Sequence, residues 1–350
     1  MSLGIDLGKY KIKIVELEKN NDNISVLKID SFSTFDNLAK FDLEKITTSQ
    51  IEACIQDLCK KMNINPKKIK TIVSSLPGEI VDVRQVRTLD MPDQELSVSL
   101  ELEAKKHIPS DGTDAIIDYH HLGSDPNELD KINVLLVATT KNIIKDHSRI
   151  IKNSGFKPGI FDAIPIALAN SYQFNYSLPE EGADVILDIG NSSTTIVVWG
   201  KNLTFFSRTL ETAGNDFTKA IMQEHNTDYE SAEKIKFKKG INAFGDSDKS
   251  DTDSDMGISL EKKTIFNELT DEIRKTLRYY MKNNNQAFFN TFYLSGGSAS
   301  LPGLEDFISS NLNVKTELLD PLNKIKNTTK LKSNSEFSSA IGLALRGLED

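Results

Sequence analysis

GIDLG at residues 4–8, followed directly by KYKIKIVEL at 9–17, decides how this 350-residue chain is read. An apolar run holding one aspartate stops at Gly8, and an alternating pattern then resumes. That reads as a strand, a tight glycine turn and a returning strand. The same pattern recurs at residues 186–199, ILDIGNSSTTIVVW, with Asp188 and Gly190 in the places of Asp6 and Gly8. The two aspartates stand about one domain length apart. A lone D-x-G hairpin is common and carries little. Repeated at this distance, it predicts an internally duplicated, two-lobed α/β protein with a cleft between the lobes.

Bulk properties narrow the class. A net charge of −9 and a pI near 5.3 argue against nucleic acid as the main partner. Hydrophobic residues make up 38 %, enough for ordinary cores at a mean hydropathy of −0.34. Residues 1–17 carry Asp6, Lys9, Lys11, Lys13 and Glu16 where a leader would be apolar, and no run approaches about 18 apolar residues. The expectation is a cytoplasmic protein without direct membrane insertion. Cys54 and Cys59 have neither metal-binding nor redox-motif spacing and read as free thiols. The histidines are scattered, and His120-His121 would face opposite sides of a strand.

Along the chain, strands are expected at 24–33, 71–76, 80–89, 115–122, 131–138 and 202–209. Helices are expected at 47–62, 94–107, 142–154, 163–174, 217–225, 229–238, 259–284, 299–312 and 335–348. Residues 81–155 hold a β-α-β-β-α module that interrupts the first lobe. The resulting division is a first lobe of 1–80, 156–182 and 335–350, an inserted subdomain of 81–155, and a second lobe of 183–334. The acidic stretch 245–257 reads as a mobile loop.

Three glycine turns follow strands: Leu7-Gly8-Lys9, Ile189-Gly190-Asn191-Ser192-Ser193-Thr194, and Ser295-Gly296-Gly297-Ser298. Glycine lets backbone N–H groups approach an anion, and the hydroxyls add donors. Asp6 and Asp188 would repel a phosphate and each other unless a hydrated Mg²⁺ lay between them. The pair therefore reads as a metal–phosphate site, with Mg²⁺ held through water.

These hairpins, with AGNDF at 213–217, AEKIK at 232–236, LSGGSASLPGL at 294–304 and the last helix, resemble the actin/Hsp70/hexokinase ATPase fold, the duplicated ribonuclease H-like arrangement. The resemblance implies ATP or ADP with Mg²⁺ as cofactors. It casts the hairpins as phosphate loops, with Asp6, Gly8, Lys9, Tyr10 and Lys11 in the first and Asp188, Gly190, Asn191, Ser192, Ser193 and Thr194 in the second. It casts Gly214, Glu233, Lys236, Gly296, Gly297 and Ser298 as contacts to the rest of the nucleotide.

Within that fold, MPDQELSVSLELEAKKHIPSDGTDAIIDYHHL at 91–122, the segment 132–162 and SSAIGLALRGL at 338–348 resemble the PilM family of type IV pilus assembly, relatives of the division protein FtsA. The resemblance implies an FtsA-type 1C subdomain at 81–155. It also implies a scaffold, peripheral to the inner membrane through protein partners. That scaffold grips the N-terminal tail of PilN in a groove between 81–155 and the first lobe. Other platform proteins, motor ATPases and self-association follow as further expected partners. The chain departs from the family at Lys9-Tyr10-Lys11, where small hydroxyl residues are usual. Lys9 would pair with a phosphate, or Tyr10 would crowd the site and leave a scaffold that no longer binds nucleotide. No residue stands out as a general base, so turnover is expected to be slow at most. An FtsA-like division role would call for a basic amphipathic tail, and GLALRGLED at 342–350 is not one.

Overall fold

Two five-stranded sheets carry the duplication. The computed structural model describes residues 1–21, 23–108, 114–125, 128–201, 203–244, 264–284 and 286–349. β1 (Ser2–Leu7) turns at Gly8 into β2 (Lys11–Asn20), and β3 (Asn23–Ser33) completes an antiparallel meander. After α1 (Thr48–Lys61), β4 (Ile72–Leu76) joins β1 in parallel. The chain then builds a separate sheet from β5 (Asp82–Leu89), α2 (Asp93–Ala104), β6 (Ala115–Ser124), β7 (Lys131–Thr140) and α3 (Lys141–Asn153), in the order β5-β7-β6. It returns through β8 (Ile160–Ala163), parallel to β4, and α4 (Ile164–Asn175).

The second half repeats the plan. β9 (Ala183–Ile189), β10 (Thr194–Trp199) and β11 (Phe206–Leu210) form a meander. α5 (Gly214–His225), α6 (Tyr229–Lys239) and α7 (Ile265–Asn284) follow. β12 (Phe289–Ser295) lies parallel to β9, α8 (Leu304–Leu312) crosses, and β13 (Lys315–Leu318) lies parallel to β12. α9 (Ser338–Arg346) packs back on the first sheet and on α4. The orders β3-β2-β1-β4-β8 and β11-β10-β9-β12-β13 correspond element for element.

The cores explain the order. β1 is buried at every position, as a central strand covered on both faces must be. Leu3, Ile5, Ile12 and Ile14 pack on Ile55, Leu58 and Cys59 of α1, and Val185, Leu187, Ile196 and Val198 pack on Leu269, Ile273 and Tyr280 of α7. Cys54 and Cys59 are free and buried, and burial pushes the Cys59 thiol up to about 11. α1 starts at Thr47, whose side chain accepts from the Gln50 amide while Gln50 accepts from the Thr47 amide. Thr47→Ala is therefore expected to cost about 1 kcal/mol in a urea melt; an unchanged midpoint would show that this cap contributes nothing.

Several element limits differ from the sequence pattern. The helix expected over 299–312 starts only at Leu304, because Pro302 and Gly303, the latter at φ +77°, turn the chain first. The last helix is preceded by a 3₁₀ turn over Ser335–Phe337 and ends at Arg346. The strand expected over 202–209 is Phe206–Leu210, and the four-residue β13 is too short to show a pattern. The acidic stretch 245–257, residues 259–263 of the long helix, and Pro109 lie outside the described residues. Among the described residues, no helix is long and apolar enough to cross a membrane.

Candidate functional site

The duplicated hairpins meet at a cleft that is open to solvent and lined from both halves. Each aspartate is the penultimate residue of a central strand, Asp6 in β1 and Asp188 in β9. Each is held by a serine from the adjacent parallel strand. Ser75 of β4 donates to Asp6 Oδ1 at 3.4 Å and accepts from the Leu7 amide at 2.8 Å. Ser295 of β12 donates to Asp188 Oδ1 at 2.7 Å. The sequence patterns SSLPG and LSGG thus supply one carboxylate support per lobe.

The symmetry breaks at a lysine. The β1–β2 register places Lys13 opposite Asp6, whereas the β9–β10 register places Thr195 opposite Asp188. Lys13 Nζ sits 2.8 Å from Asp6 Oδ2. Burial works against its charge, but Asp6 and then Asp188 outweigh it, and the Lys13 pKa is raised. Burial raises the Asp188 pKa, with Lys13 pulling it back down. One cation thus serves carboxylates from both lobes and stands at the floor of the cleft.

The glycine turns behave as cradles. A Cβ on Gly8 would lie 2.5 Å from the Lys11 carbonyl oxygen, and the Gly190 amide donates to the Ser193 carbonyl at 3.0 Å. A Cβ on Gly297 would meet nothing within 4 Å, so that turn faces open space. The third turn is fastened to the second, with the Ser298 amide on the Ile189 carbonyl and the Ser298 hydroxyl on the Gly190 carbonyl. Ser192, Ser193, Thr195 and Ser298 bring hydroxyls to the lining, beside Lys9, Lys11 and Lys13. Hydroxyl, amide and ammonium donors around an open space suit a phosphorylated ligand.

On the far side, α6 presents a buried ion pair. Glu233 accepts from Lys236, from the Thr218 hydroxyl and from the Tyr10 hydroxyl, the last at 3.2 Å. Lys236 also donates to the Gly214 carbonyl at 3.1 Å and to Thr218 Oγ1 at 2.8 Å, and burial lowers its pKa. Tyr10 packs on Phe35 and Phe41, at ring separations of 4.9 and 5.0 Å, and Phe41 meets Tyr229 at 5.2 Å. Burial, then the Glu233 charge, raises the Tyr10 pKa. Thus Tyr10 stands against the wall of the cleft and bridges the lobes. Lys11 pairs with Glu336 at 3.3 Å, and Lys9 is exposed at the rim.

Most residues singled out in the sequence line the cleft: Asp6, Gly8, Lys9, Tyr10, Lys11, Asp188, Gly190, Asn191, Ser192, Ser193, Glu233, Lys236, Gly297 and Ser298. Three do not. Thr194 is turned away by strand alternation and donates to the Thr212 carbonyl, leaving the place to Thr195. Gly214 is buried under the second turn, its amide on the Gly190 carbonyl, and Gly296, at φ +90°, packs against the backbone of Ile189. The sequence reading missed Lys13, Ser75, Glu79, Phe237 and Glu336 in the lining. Only Lys13 had a usable signal, since counting back from the Gly8 turn pairs it with Asp6.

For Mg²⁺ the fit is indirect. Both Asp6 oxygens are engaged, by Ser75 and Lys13, and the described residues hold no group of three or more His, Cys, Asp or Glu suited to a metal. Any ion here would be carried mainly by ligand and water.

Comparison with known proteins reads the same architecture. The profile of the family "Type IV pilus assembly protein PilM" matches residues 4–348. The chain belongs to this family. A chain of a solved "PilM-PilN type IV pilus biogenesis complex" superposes with a TM-score of 0.80 at 24 % identity, covering 100 % of this chain and 99 % of that one. The ethanolamine utilization protein EutJ from Carboxydothermus hydrogenoformans superposes at 0.54 with 13 % identity, over 98 % and 89 %. The cell division protein FtsA of Staphylococcus epidermidis is 25 % identical over 389 residues, 97 % of this chain and 77 % of that one. FtsA of Enterococcus hirae is 21 % identical, over 92 % and 78 %. This PilM-family chain therefore has the two-lobed, duplicated actin-like fold, and its FtsA-like character extends along nearly its whole length.

Proposed function

We propose that this chain is an ATP-binding scaffold of the type IV pilus machinery. It holds the cytoplasmic N-terminal tail of PilN and so links motor and platform to the inner-membrane alignment complex. The observation that carries the nucleotide part is the cleft itself, with two serine-held aspartates, one shared lysine and glycine turns around an open space. In this reading Lys13 and the turn amides take the phosphates, Asp188 orients water around Mg²⁺, and Glu233 and Lys236 border the nucleoside end. ATP or ADP supplies the charge that Lys13 and Lys9 face. Among the lining residues, Glu79 and Glu336 are the carboxylates beyond the aspartates and Glu233. Glu336 is paired with Lys11, so rapid hydrolysis is not expected.

The partner part is supported by family membership and by the likeness to a chain of the solved PilM-PilN complex. The domain division proposed with it is 1–80, 156–182 and 335–350 for the first lobe, 81–155 for a 1C-like insert, and 183–334 for the second. Partner binding in the groove beside the insert would place the protein at the cytoplasmic face of the inner membrane.

The test is a titration of the purified protein with fluorescent Mg·ATP. Saturable binding at millimolar ATP or below is expected, and Asp188→Ala should weaken it about tenfold to a hundredfold, the scale of a lost charged hydrogen bond. A second reading rests on Tyr10. Its contact with Glu233 already satisfies that carboxylate, as a scaffold without nucleotide would arrange it. No saturation by wild type, and none by Tyr10→Phe, would favour that reading over ours.

A further inference from the structure

The protein is acidic, with a net charge of −9, yet residues 60–70 and 141–157 together hold nine lysines, one arginine and a single acid, Asp146. The fold sets these two stretches side by side. The first runs from the end of α1 through a 3₁₀ turn over Pro66–Lys68, and the second is α3 with the chain just beyond it. A Cβ on Gly155 would lie 3.6 Å from Pro66. Gln56 of α1 donates to the Asn153 carbonyl at 2.9 Å, and Asn153 donates to Glu52 of α1 at 3.0 Å. Lys67 and Lys68, which follow Pro66, therefore share a surface with Lys152 and Lys157, which bracket Gly155; all four are exposed.

α3 extends the same face. Its apolar side is used up inside the protein, Ile143 and Ile144 beside Leu135, Val137 and Phe161, and Ile150 and Ile151 against α1. Lys141, Lys145, Arg149 and Lys152 stand at i, i+4, i+8 and i+11, so they share the opposite side, exposed, in a stripe about 16 Å long. Arg149 pairs with Asp146 at 3.0 Å, Lys60 with Asp57 at 2.9 Å and Lys61 with Asp30 at 2.7 Å. Among the described residues, Lys67, Lys68, Lys70, Lys145, Lys152 and Lys157 have no ion-pair partner. The large exposed apolar side chains of the described residues all lie outside these two stretches. The face thus offers many separate positive charges, with nothing to insert into a bilayer and no aromatic ring on which a base could stack.

We propose that this face adsorbs on an anionic phospholipid surface by electrostatic attraction alone, without insertion. Lysines are compact, hydrated point charges, and a spread of them suits a plane of anionic headgroups. The acidic character of the whole chain does not forbid it. Charges more than about 8 Å away are screened at physiological salt, so a surface in contact with this face meets mainly its lysines. The choice of lipid over another polyanion rests on the reading that places the protein at the inner membrane. Docked in this way, α3 of the insert and the end of α1 would turn towards the bilayer.

The experiment floats the full-length protein with vesicles of phosphatidylcholine, either alone or with about 30 % phosphatidylglycerol. Wild type should partition onto the anionic vesicles about tenfold better than onto the neutral ones, and the difference should vanish as NaCl rises from about 50 to about 300 mM. Lys67→Glu, Lys68→Glu and Lys152→Glu combined should abolish it. K219E, K238E and K239E combined alter three exposed lysines of the second lobe and change the net charge equally; this variant should stay within about threefold of wild type. Equal loss in the two triple variants, or equal partition of wild type onto both kinds of vesicle, overturns the face. A DNA duplex that wild type binds more tightly than the anionic vesicles at the same salt overturns the lipid assignment. If the first triple variant folds poorly, the salt series on wild type decides, and partition that salt leaves unchanged overturns the proposal. The vesicles carry no protein, so a PilN tail peptide that fails to bind overturns the tail reading and not this one.

Discussion

Gly342→Ala is expected to destabilise the protein by roughly 3 kcal/mol or more. Intrinsic preference points the other way, since alanine is better than glycine in a helix interior by about 1 kcal/mol. Packing decides the sign. A Cβ at 342 would overlap the carbonyl oxygen of Ala167 in α4 and approach its carbonyl carbon, and a backbone group cannot rotate aside as a side chain would. The same closeness recurs where α9 crosses β1, for a Cβ on Gly4 would overlap the Ala340 carbonyl and lie 2.6 Å from the Ala344 nitrogen. Forcing α4 and α9 apart also disturbs the cleft, because Ile164 at the start of α4 and Ser339 in α9 line it. Urea melts of wild type and G342A measure the effect; a loss below about 1 kcal/mol would mean that the helices yield and that this crossing is not tightly packed.

Lys13→Met is expected to lose both stability and nucleotide affinity. The substitution keeps an apolar stem but leaves Asp6 facing no cation and Asp188 without the charge that holds its pKa down. Removing one partner of a buried pair costs about 3–5 kcal/mol; Lys13 retains 15 % side-chain exposure, which argues for the lower end. The pH dependence has a definite sign. In wild type the raised Lys13 pKa means a contribution present at neutral pH and lost only as pH rises through that folded value. In K13M the carboxyl pKa of Asp188, already raised by burial, moves further up. The mutant's native state then binds protons more tightly than its unfolded state, so the deficit should narrow as pH falls from 7.5 to 5. Melts at the two pH values check this, and a constant deficit would exclude a carboxylate origin. On our functional reading Mg·ATP affinity should fall about a hundredfold, as expected for a charged hydrogen bond at the strong end of the range.

The fold was largely legible because its signals are local. Each hairpin shows alternation around a glycine turn, and the two copies identify each other. The amphipathic helices α1 and α7 repeat apolar residues at helical spacing, and their cores use those residues. What local pattern misses is short or conformationally special: β13 has four residues, and the turn through Pro302 and Gly303 delays α8. The small residues of α9 were visible, but the partner that makes Gly342 obligatory lies far away in the chain.

From its sequence alone this protein is determined as a duplicated pair of strand–glycine–strand units, with an aspartate near the end of each first strand and hydroxyls after the second turn. Those features depend on neighbours a few residues apart. Only the tertiary structure decided which residues complete the site. The hairpin register that sets Lys13 opposite Asp6 can be counted from the Gly8 turn, but the second carboxylate that this lysine serves, Asp188, comes from the other lobe. Parallel pairing of β4 with β1 and of β12 with β9 brings Ser75 and Ser295 to the aspartates. Closure of the lobes joins Tyr10 to Glu233, so the tyrosine at the departure from family pattern becomes an interlobe contact. The physical reason is range: a turn is set by the backbone preferences of the residues within it, whereas the hydroxyl supports and the contacts between lobes require segments that meet only after long loops have closed.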